Sequence, residues 1–463
     1  MRQLSQIVGN QREDMTTQTQ TPATPTGKKG GSVTTIVVAS LMLFSMFFGA
    51  GNLIFPPMVG VASGTNFWPA ILGFLAAGVL LPVLAVVAVS ISGQSVRDIG
   101  NHGGKFFGIV FSAMAYLAIG AFYALPRTGA VSMETAITPL FGWEGFGANV
   151  TYNIIFFLVA LVLSWKPNSI IDTLGKFLTP ALVILLFVLI TLASFGAERV
   201  PATPSEDYTS SAMVTGLFEG YNTMDAIAGL AFSIVIVTSL KSKGFKEGKP
   251  VVSGTITAAV IAGGLLAAIY LGLGWIGQTI PNGQSYESGA TLLADAANST
   301  MGDIGQAVFS AIVILACMTT AVGLIVATSE FFVQLVPKTT YHFWAVLFTL
   351  LSIAFAFQGL ETVLAIAVPF ITFLYPPAIT LIALTLLQPV VKNAVRFRWA
   401  FLLALWTSVI WSALSVLAGQ GWLAGIQQLL DISPGQAVGL GWFAPTAIAA
   451  LIGMGIDFAQ RNK

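Results

Sequence analysis

The sequence predicts an all-α integral membrane protein of twelve transmembrane helices, in which helices 1 and 6 are discontinuous and the first ten form two inverted repeats of five. Three observations predict it. The 463-residue chain is 56% hydrophobic and 8% charged, with a mean hydropathy of +0.85, whereas soluble domains carry about 25% charged residues. Apolar stretches of roughly 20 residues, the length that spans a bilayer, recur along it. Two of those stretches, five apart, are interrupted by Gly and Asn, the second also by carboxylates, and an odd spacing makes the second unit enter the membrane from the opposite side.

The same composition excludes other classes. A net charge of +1 offers no nucleic-acid surface, two histidines (His102 and His342) are too few and too distant for a metal centre, and Cys317 alone forms no disulfide framework. Residues 1–32 form a Gln/Thr/Pro/Gly tail without the apolar core of a signal peptide, and it reads as a disordered cytoplasmic segment.

Taken in order, the helices are expected over 34–62, 67–91, 106–137, 148–165, 170–195, 212–240, 250–278, 304–332, 341–358, 361–388, 399–418 and 439–458. Residues 33–195 make the first repeat, 196–388 the second, and 389–463 hold the last two helices and the C-terminus. With the N-terminus inside, 18 of the 20 basic residues fall on inner segments, as the positive-inside tendency requires. The outer loops keep only Arg199 and hold mostly acids: Glu144, Glu198, Glu206, Asp207, Glu287, Asp295, Asp303 and Asp431. Both termini are therefore expected in the cytoplasm, and Lys241 to Lys249 reads as a topology anchor.

The first segment contains Phe48-Gly49-Ala50-Gly51-Asn52 followed by Pro56-Pro57. Glycine relaxes the helical backbone and proline deletes donors. A break at membrane depth persists only where it lines a polar cavity, so these five residues are expected to form half of a binding site. The sixth segment places Glu219 and Asp225 in apolar sequence, with Gly220, Tyr221, Asn222 and Thr223 between them. Each intramembrane carboxylate costs at least ~2.5–3.5 kcal/mol and faces a partner or a pathway. Amides at the start of a second half-helix suit a carboxylate, and carbonyls ending a first half suit an ammonium or a cation. Such a pair of breaks matches a zwitterion. Phe47, Phe48, Phe55, Phe218, Tyr221 and Met224 add apolar surface around it.

The eighth segment supplies Ala316, Thr319 and Thr320 on one helix face. Their carbonyl and hydroxyls can converge on a small hard cation; the alternative is that the hydroxyls bond back to their own helix. Arg127, the only arginine inside the membrane, follows Pro126. Glu134 lies on the same expected face but about 10 Å further along the axis, so the pairing of Arg127 is left among Glu134, Glu219 and Asp225. A structural or gating ion pair is favoured over contact with a ligand. Glu330 and Glu361 lie near segment ends, where solvation is the default, and Pro369 and Tyr375-Pro376-Pro377 read as kinks.

Phe47-Phe-Gly-Ala-Gly-Asn-Leu-Ile-Phe-Pro-Pro57, Leu125-Pro-Arg-Thr128, Lys176-Phe-Leu-Thr-Pro180, Glu219-Gly-Tyr-Asn-Thr-Met-Asp225 and Phe373-Leu-Tyr-Pro376 closely resemble the bacterial branched-chain amino acid:cation symporters. The resemblance runs from about residue 34 to 458. It implies uptake of leucine, isoleucine and valine driven by Na+, or by protons in some members, across the bacterial cytoplasmic membrane. It also implies the five-plus-five inverted-repeat, leucine-transporter-like fold. On that resemblance, the Ala50 and Gly51 amides hold the substrate carboxylate and backbone of the sixth break meets its ammonium. The Ser45 and Phe48 carbonyls with Ala316, Thr319 and Thr320 form a Na+ site. The expected partners are thus a branched-chain amino acid, a cation and the lipid bilayer, with no cofactor and no enzymatic activity. The alternatives are a symporter for another small neutral amino acid, a channel or sensor, and a membrane-embedded enzyme, the last disfavoured by the lack of a catalytic cluster at membrane depth.

Overall fold

The computed structural model describes residues 33–460 except 94, 196–201, 287, 359, 392–395, 423, 437 and 438. The N-terminal tail, Glu198, Arg199, Glu287, Lys392, Arg461, Lys463 and the side chains of Ala50 and Glu361 lie outside the described residues. Every regular element among the described residues is helical.

The first segment divides into α1 (Val33–Phe47) and α2 (Ala50–Ser63), with Phe48 and Gly49 unwound between them. The break is shorter than the sequence suggests, because Pro56 and Pro57 are accommodated inside α2. Proline's fixed φ is helical, so the prolines forfeit only the donors that would have met the Asn52 and Leu53 carbonyls. The second segment runs through α3 (Phe67–Leu75), a π turn at Ala76–Leu80 and α4 (Leu81–Ser92).

After the short α5 (Val96–Gly100), the third segment comprises α6 (Lys105–Leu117), α7 (Ala124–Ser132) and α8 (Thr138–Phe141), joined by π turns at Ala118–Phe122 and Met133–Ile137. Gly120 and Tyr123 leave helical geometry altogether (φ −83°, ψ −120° and φ −144°, ψ −74°). This distortion lies within two turns before Pro126, whose ring removes a donor and crowds the preceding turn. Next come α9 (Phe146–Ser164), then α10 (Ile170–Thr173), a π turn at Leu174–Leu178 and α11 (Thr179–Ser194).

The sixth segment starts at Glu206 rather than near 212. It divides into α12 (Glu206–Asn222), bent at Ser211, and α13 (Asp225–Ser242). Between α14 (Lys249–Thr279) and α16 (Asp303–Leu335) lies α15 (Gly289–Met301), a helix not among those expected from apolar stretches. Its polar Asp295, Asn298 and Ser299 keep it below the hydropathy of a span, and the Ser288 hydroxyl caps its first turn by accepting from the Ala290 amide at 3.2 Å. The remaining helices are α17 (Tyr341–Ala356), α18 (Leu360–Val390), α19 (Trp399–Gly419), α20 (Gln427–Leu430) and α21 (Phe443–Gln460). Helix α18 continues through Pro369, Pro376, Pro377 and Pro389, and the Thr380 hydroxyl donates to the Pro376 carbonyl at 2.8 Å.

Ten helical stretches among the described residues are long and apolar enough to cross a membrane, and α1 and α17 are shorter apolar helices. Small residues let them approach closely. A Cβ on Gly73, Gly216 or Gly220 would run into the facing backbone where α12 crosses the second segment, and Gly60 and Gly277 do the same for α2 against α14. The Gln278 amide donates to the Gly60 carbonyl at that crossing. At the other end of the chain, the Asp457 carboxylate accepts from the Arg398, Trp399 and Ala400 amides, each at 3.0 Å, and so fastens α21 onto the start of α19.

Candidate binding site at the helix breaks

The two breaks face each other, and one side chain ties them together. Asn52 Oδ1 accepts from the Gly49 amide at 3.2 Å, capping α2 from within. Its Nδ2 donates to Asp225 Oδ2 at 2.6 Å, the first residue of α13, and also to the Tyr270 hydroxyl from α14. Tyr270 in turn donates to Asp225 at 3.4 Å. Asn52 and Asp225 are 3% and 4% exposed and Tyr270 is fully buried, so a carboxylate is held in the protein interior by neutral donors and by the amide end of its own helix.

The second break is the Thr223-Met224 pair. Met224 takes a left-handed conformation (φ +66°, ψ +14°), which costs an L-residue with a long side chain about 1–2 kcal/mol. Strain of that kind marks a segment over-determined by its surroundings. Here the surroundings are the Asp225 network on one side and, on the other, glycine packing of α12: Gly220 sits against the Phe74 carbonyl and the Gly78 amide.

A cavity lies between the breaks. Its polar wall is Gly49, Gly51, Asn52, Thr128, Arg127, Thr223, Asp225 and Thr320, and its apolar wall includes Met46, Phe47, Ile119, Ile227, Phe232 and Leu324. Phe47 meets Phe232 edge-on with ring centroids 5.5 Å apart. A buried polar end beside an aliphatic and aromatic pocket suits a small zwitterion with an apolar side chain. Thr223 and Met224 line the wall, whereas Glu219, Gly220, Tyr221 and Asn222 occupy the last turn of α12, before the break and off the wall. Tyr221 instead meets Tyr375 with centroids 3.9 Å apart. Phe48 stays in the unwound pair, with its ring stacked on Phe44 at 5.4 Å, and Ala50 opens α2.

Next to this cavity the end of α1 meets α16. Thr319 Oγ1 donates to the Ser45 carbonyl at 3.0 Å and to its own Ala316 carbonyl at 3.1 Å. Thr320 Oγ1 lies 3.3 Å from the Ser45 carbonyl and 3.4 Å from that of Met46. Both readings of these threonines therefore coexist: one bond runs back along the helix, while the others cross to α1. A methyl at position 49 would sit 3.0 Å from Thr320 Oγ1, so the oxygen cluster is continuous with the first break. The set is neutral, hard and without a titratable group, which suits a monovalent hard cation better than a transition metal.

Arg127 points into the cavity. Its Nη1 donates to the Tyr123 hydroxyl at 2.5 Å, and the guanidinium lies 5.5 Å from the Tyr123 ring centroid. None of the three carboxylates proposed as its partner forms an ion pair with it: the ion pairs among the described residues join Asp172 to Lys176 and Lys243, and Lys241 to Glu247. Glu134 is exposed and sits two turns further along the segment, about 10 Å on at the helical rise, too far for a pair with Arg127, which is held by Tyr123. Glu330, expected to be solvated, has an Oε2 that is buried without a hydrogen-bond partner.

Sequence reasoning missed Tyr270 and Tyr123. The signal for Tyr270 was present, since it is the one tyrosine in the apolar run of α14, and a buried tyrosine hydroxyl needs a partner.

The chain matches the profile of the family described as “Branched-chain amino acid transport protein” over residues 32–460. The branched-chain amino acid permease BrnQ of Corynebacterium glutamicum is 50% identical over 427 residues, 92% of this chain and 96% of that one. The permease BrnQ of Bacillus subtilis is 37% identical over 425 residues, 91% and 96% of the two chains. Among solved structures, Mhp1, a nucleobase-cation-symport-1 family transporter in a closed conformation with bromovinylhydantoin bound, superposes with a TM-score of 0.57 at 12% identity, covering 90% of this chain and 91% of that one. MhsT in complex with L-phenylalanine gives 0.53 at 19% identity, covering 92% and 98%. At those identities the likeness concerns the fold.

Proposed function

This chain belongs to the branched-chain amino acid transport protein family, and on that premise we propose that it is a secondary active symporter taking up leucine, isoleucine and valine together with Na+. It works in the bacterial cytoplasmic membrane with both termini in the cytoplasm, as the distribution of its basic residues supports. Twelve spans, ten of them in two inverted repeats over 33–195 and 196–388, carry the alternation of access.

The observation that carries this reading is the bond from Asn52 to Asp225, which joins the two breaks above one cavity. The amino acid lies there with its carboxylate at the Ala50 and Gly51 amides, its ammonium at Asp225 and the second break, and its side chain among Met46, Phe47, Ile119, Ile227 and Phe232. Na+ takes the Ser45 and Phe48 carbonyls with Ala316, Thr319 and Thr320. An ion in that cluster fixes the end of α1 and thereby the unwound pair that follows. Cation and amino acid then tighten each other reciprocally.

A second reading, proton coupling, is favoured by one feature: Asp225 is a buried carboxylate at the junction of the breaks. Labelled-leucine uptake into proteoliposomes separates the two. A Na+ gradient is expected to drive accumulation, and Thr320→Ala to raise the Na+ concentration for half-maximal uptake roughly tenfold, the worth of one polar contact. Uptake driven by a proton gradient and indifferent to Na+ selects the second reading. Saturable uptake of other small neutral amino acids in preference to leucine would reassign the substrate.

A further inference from the structure

We infer that Arg127 is the counter-ion of the substrate carboxylate, through the Nε and Nη2 edge of its guanidinium. This inference rests on the reading of the cavity as an amino-acid site, and it replaces a structural ion pair with a contact to the substrate.

The guanidinium is divided in its engagements. Nη1 is held by the Tyr123 hydroxyl, which fixes the plane of the group along with the ring beside it. Nε is buried with no hydrogen-bond partner, and Nη2 has none among the described residues. Nε and Nη2 together form one of the two parallel-donor edges that match a carboxylate in a bidentate fork. A guanidinium at membrane depth whose Nε is buried and unpartnered is costly, and proteins keep one where a partner arrives.

The position of that edge says which partner. A methyl on Gly51 would lie 2.8 Å from Nη2 and 3.4 Å from Cζ, so the guanidinium rests against the first turn of α2. The Ala50 and Gly51 amides precede the first bond of that helix, which Asn52 donates to the Gly49 carbonyl at 3.2 Å, and amides in that position favour an anion. An anion at the start of α2 is therefore within reach of Nη2 as well. Asp225 lines the same cavity but is engaged by Asn52 and Tyr270 and makes no ion pair with Arg127. The cavity thus presents a cation beside a helix start and a carboxylate at the opposite break, the complement of a zwitterion. It also explains why position 51 is glycine: any side chain there displaces the fork.

Equilibrium binding of L-leucine and L-leucinamide to the full-length protein in nanodiscs tests the assignment, because the amide keeps the ammonium and side chain and removes the anion. The wild type is expected to prefer leucine by roughly 10- to 100-fold, the value of a charge-assisted contact. Arg127→Gln is expected to abolish that preference by weakening leucine while leaving leucinamide binding in place. Arg127→Lys keeps the charge without the fork and is expected to restore part of the preference. Tyr123→Phe, which releases Nη1 without touching the charge, gives a smaller loss in the same direction. Equal weakening of both ligands in Arg127→Gln, or an undiminished preference for leucine in Arg127→Lys and Tyr123→Phe, overturns the inference. A wild type that binds none of leucine, isoleucine and valine instead overturns the substrate reading beneath it.

Discussion

Gly51→Leu is expected to abolish leucine uptake while the protein still inserts and folds. The replacement is compatible with the local backbone, since Gly51 lies in the first turn of α2 and is not among the residues with positive φ. Leucine is also a better helix former than glycine. Its side chain, however, begins 2.8 Å from Arg127 Nη2 and then fills the space between α2 and the guanidinium. Uptake should fall to the background of empty vesicles, while thermal unfolding in detergent stays near the wild-type value. Normal uptake would remove the first break from the site. Loss of folding as well as uptake would mean that Gly51 serves packing and not the ligand.

Asn52→Ala is the second large effect. The substitution deletes three contacts at once: the cap on the Gly49 amide, the donor to Asp225 and the bond to Tyr270. A hydrogen bond to a buried charge is worth about 1.5–3 kcal/mol, so leucine affinity is expected to drop roughly 10- to 100-fold. Because Asn52 also fixes the break that follows α1, the Na+ dependence of binding should weaken with it. Affinity measured by scintillation proximity over a Na+ series checks both. Unchanged leucine binding at every Na+ concentration would show that the two breaks act without this link.

What the sequence reveals here follows from where the physics is local. Gly49 and Gly51 announce an unwound first segment by themselves, and the run from Gly220 to Asp225 announces the second, because backbone groups at membrane depth need partners wherever helix formers give way. Helical spacing places Ala316, Thr319 and Thr320 on one face, whereas Ser45 enters through the family resemblance, because spacing within one helix does not say which helix it touches. The illegible parts depend on geometry that spacing misrepresents. Pro56 and Pro57 look like part of the break yet sit inside α2. Arg127 has three carboxylates as candidate partners in the sequence, yet the side chain it bonds is Tyr123, one turn before it. Tyr270 joins the site from a neighbouring helix, which no local pattern in α14 announces, whereas Tyr123 lies four residues before Arg127 and could have been found from that spacing. Residues 219–222 were drawn into the site by composition, whereas Gly220 is used for helix packing and the break falls one step later, at Thr223 and Met224.

The strain at Met224 gives the two breaks different characters. The first is the Phe48–Gly49 pair, in which Gly49 lets the backbone rearrange at little cost. The second holds a methionine in a left-handed conformation between a glycine-packed helix and a buried carboxylate. On this account the ion and the carboxylate organise the pliant first break, while the second presents a fixed Asp225. Such a division lets a cation bound at α16 alter amino-acid affinity across the cavity through residues that touch both, Gly49 and Asn52 above all.

The most direct test is a structure of the full-length protein in lipid with L-leucine and Na+ bound. The account predicts an amino acid between the start of α2 and Asp225, with its carboxylate in reach of Arg127 and an ion among the oxygens of Ser45, Ala316, Thr319 and Thr320. Leucine found elsewhere in the bundle, or segments 1 and 6 running as continuous helices with the ligand present, would contradict it.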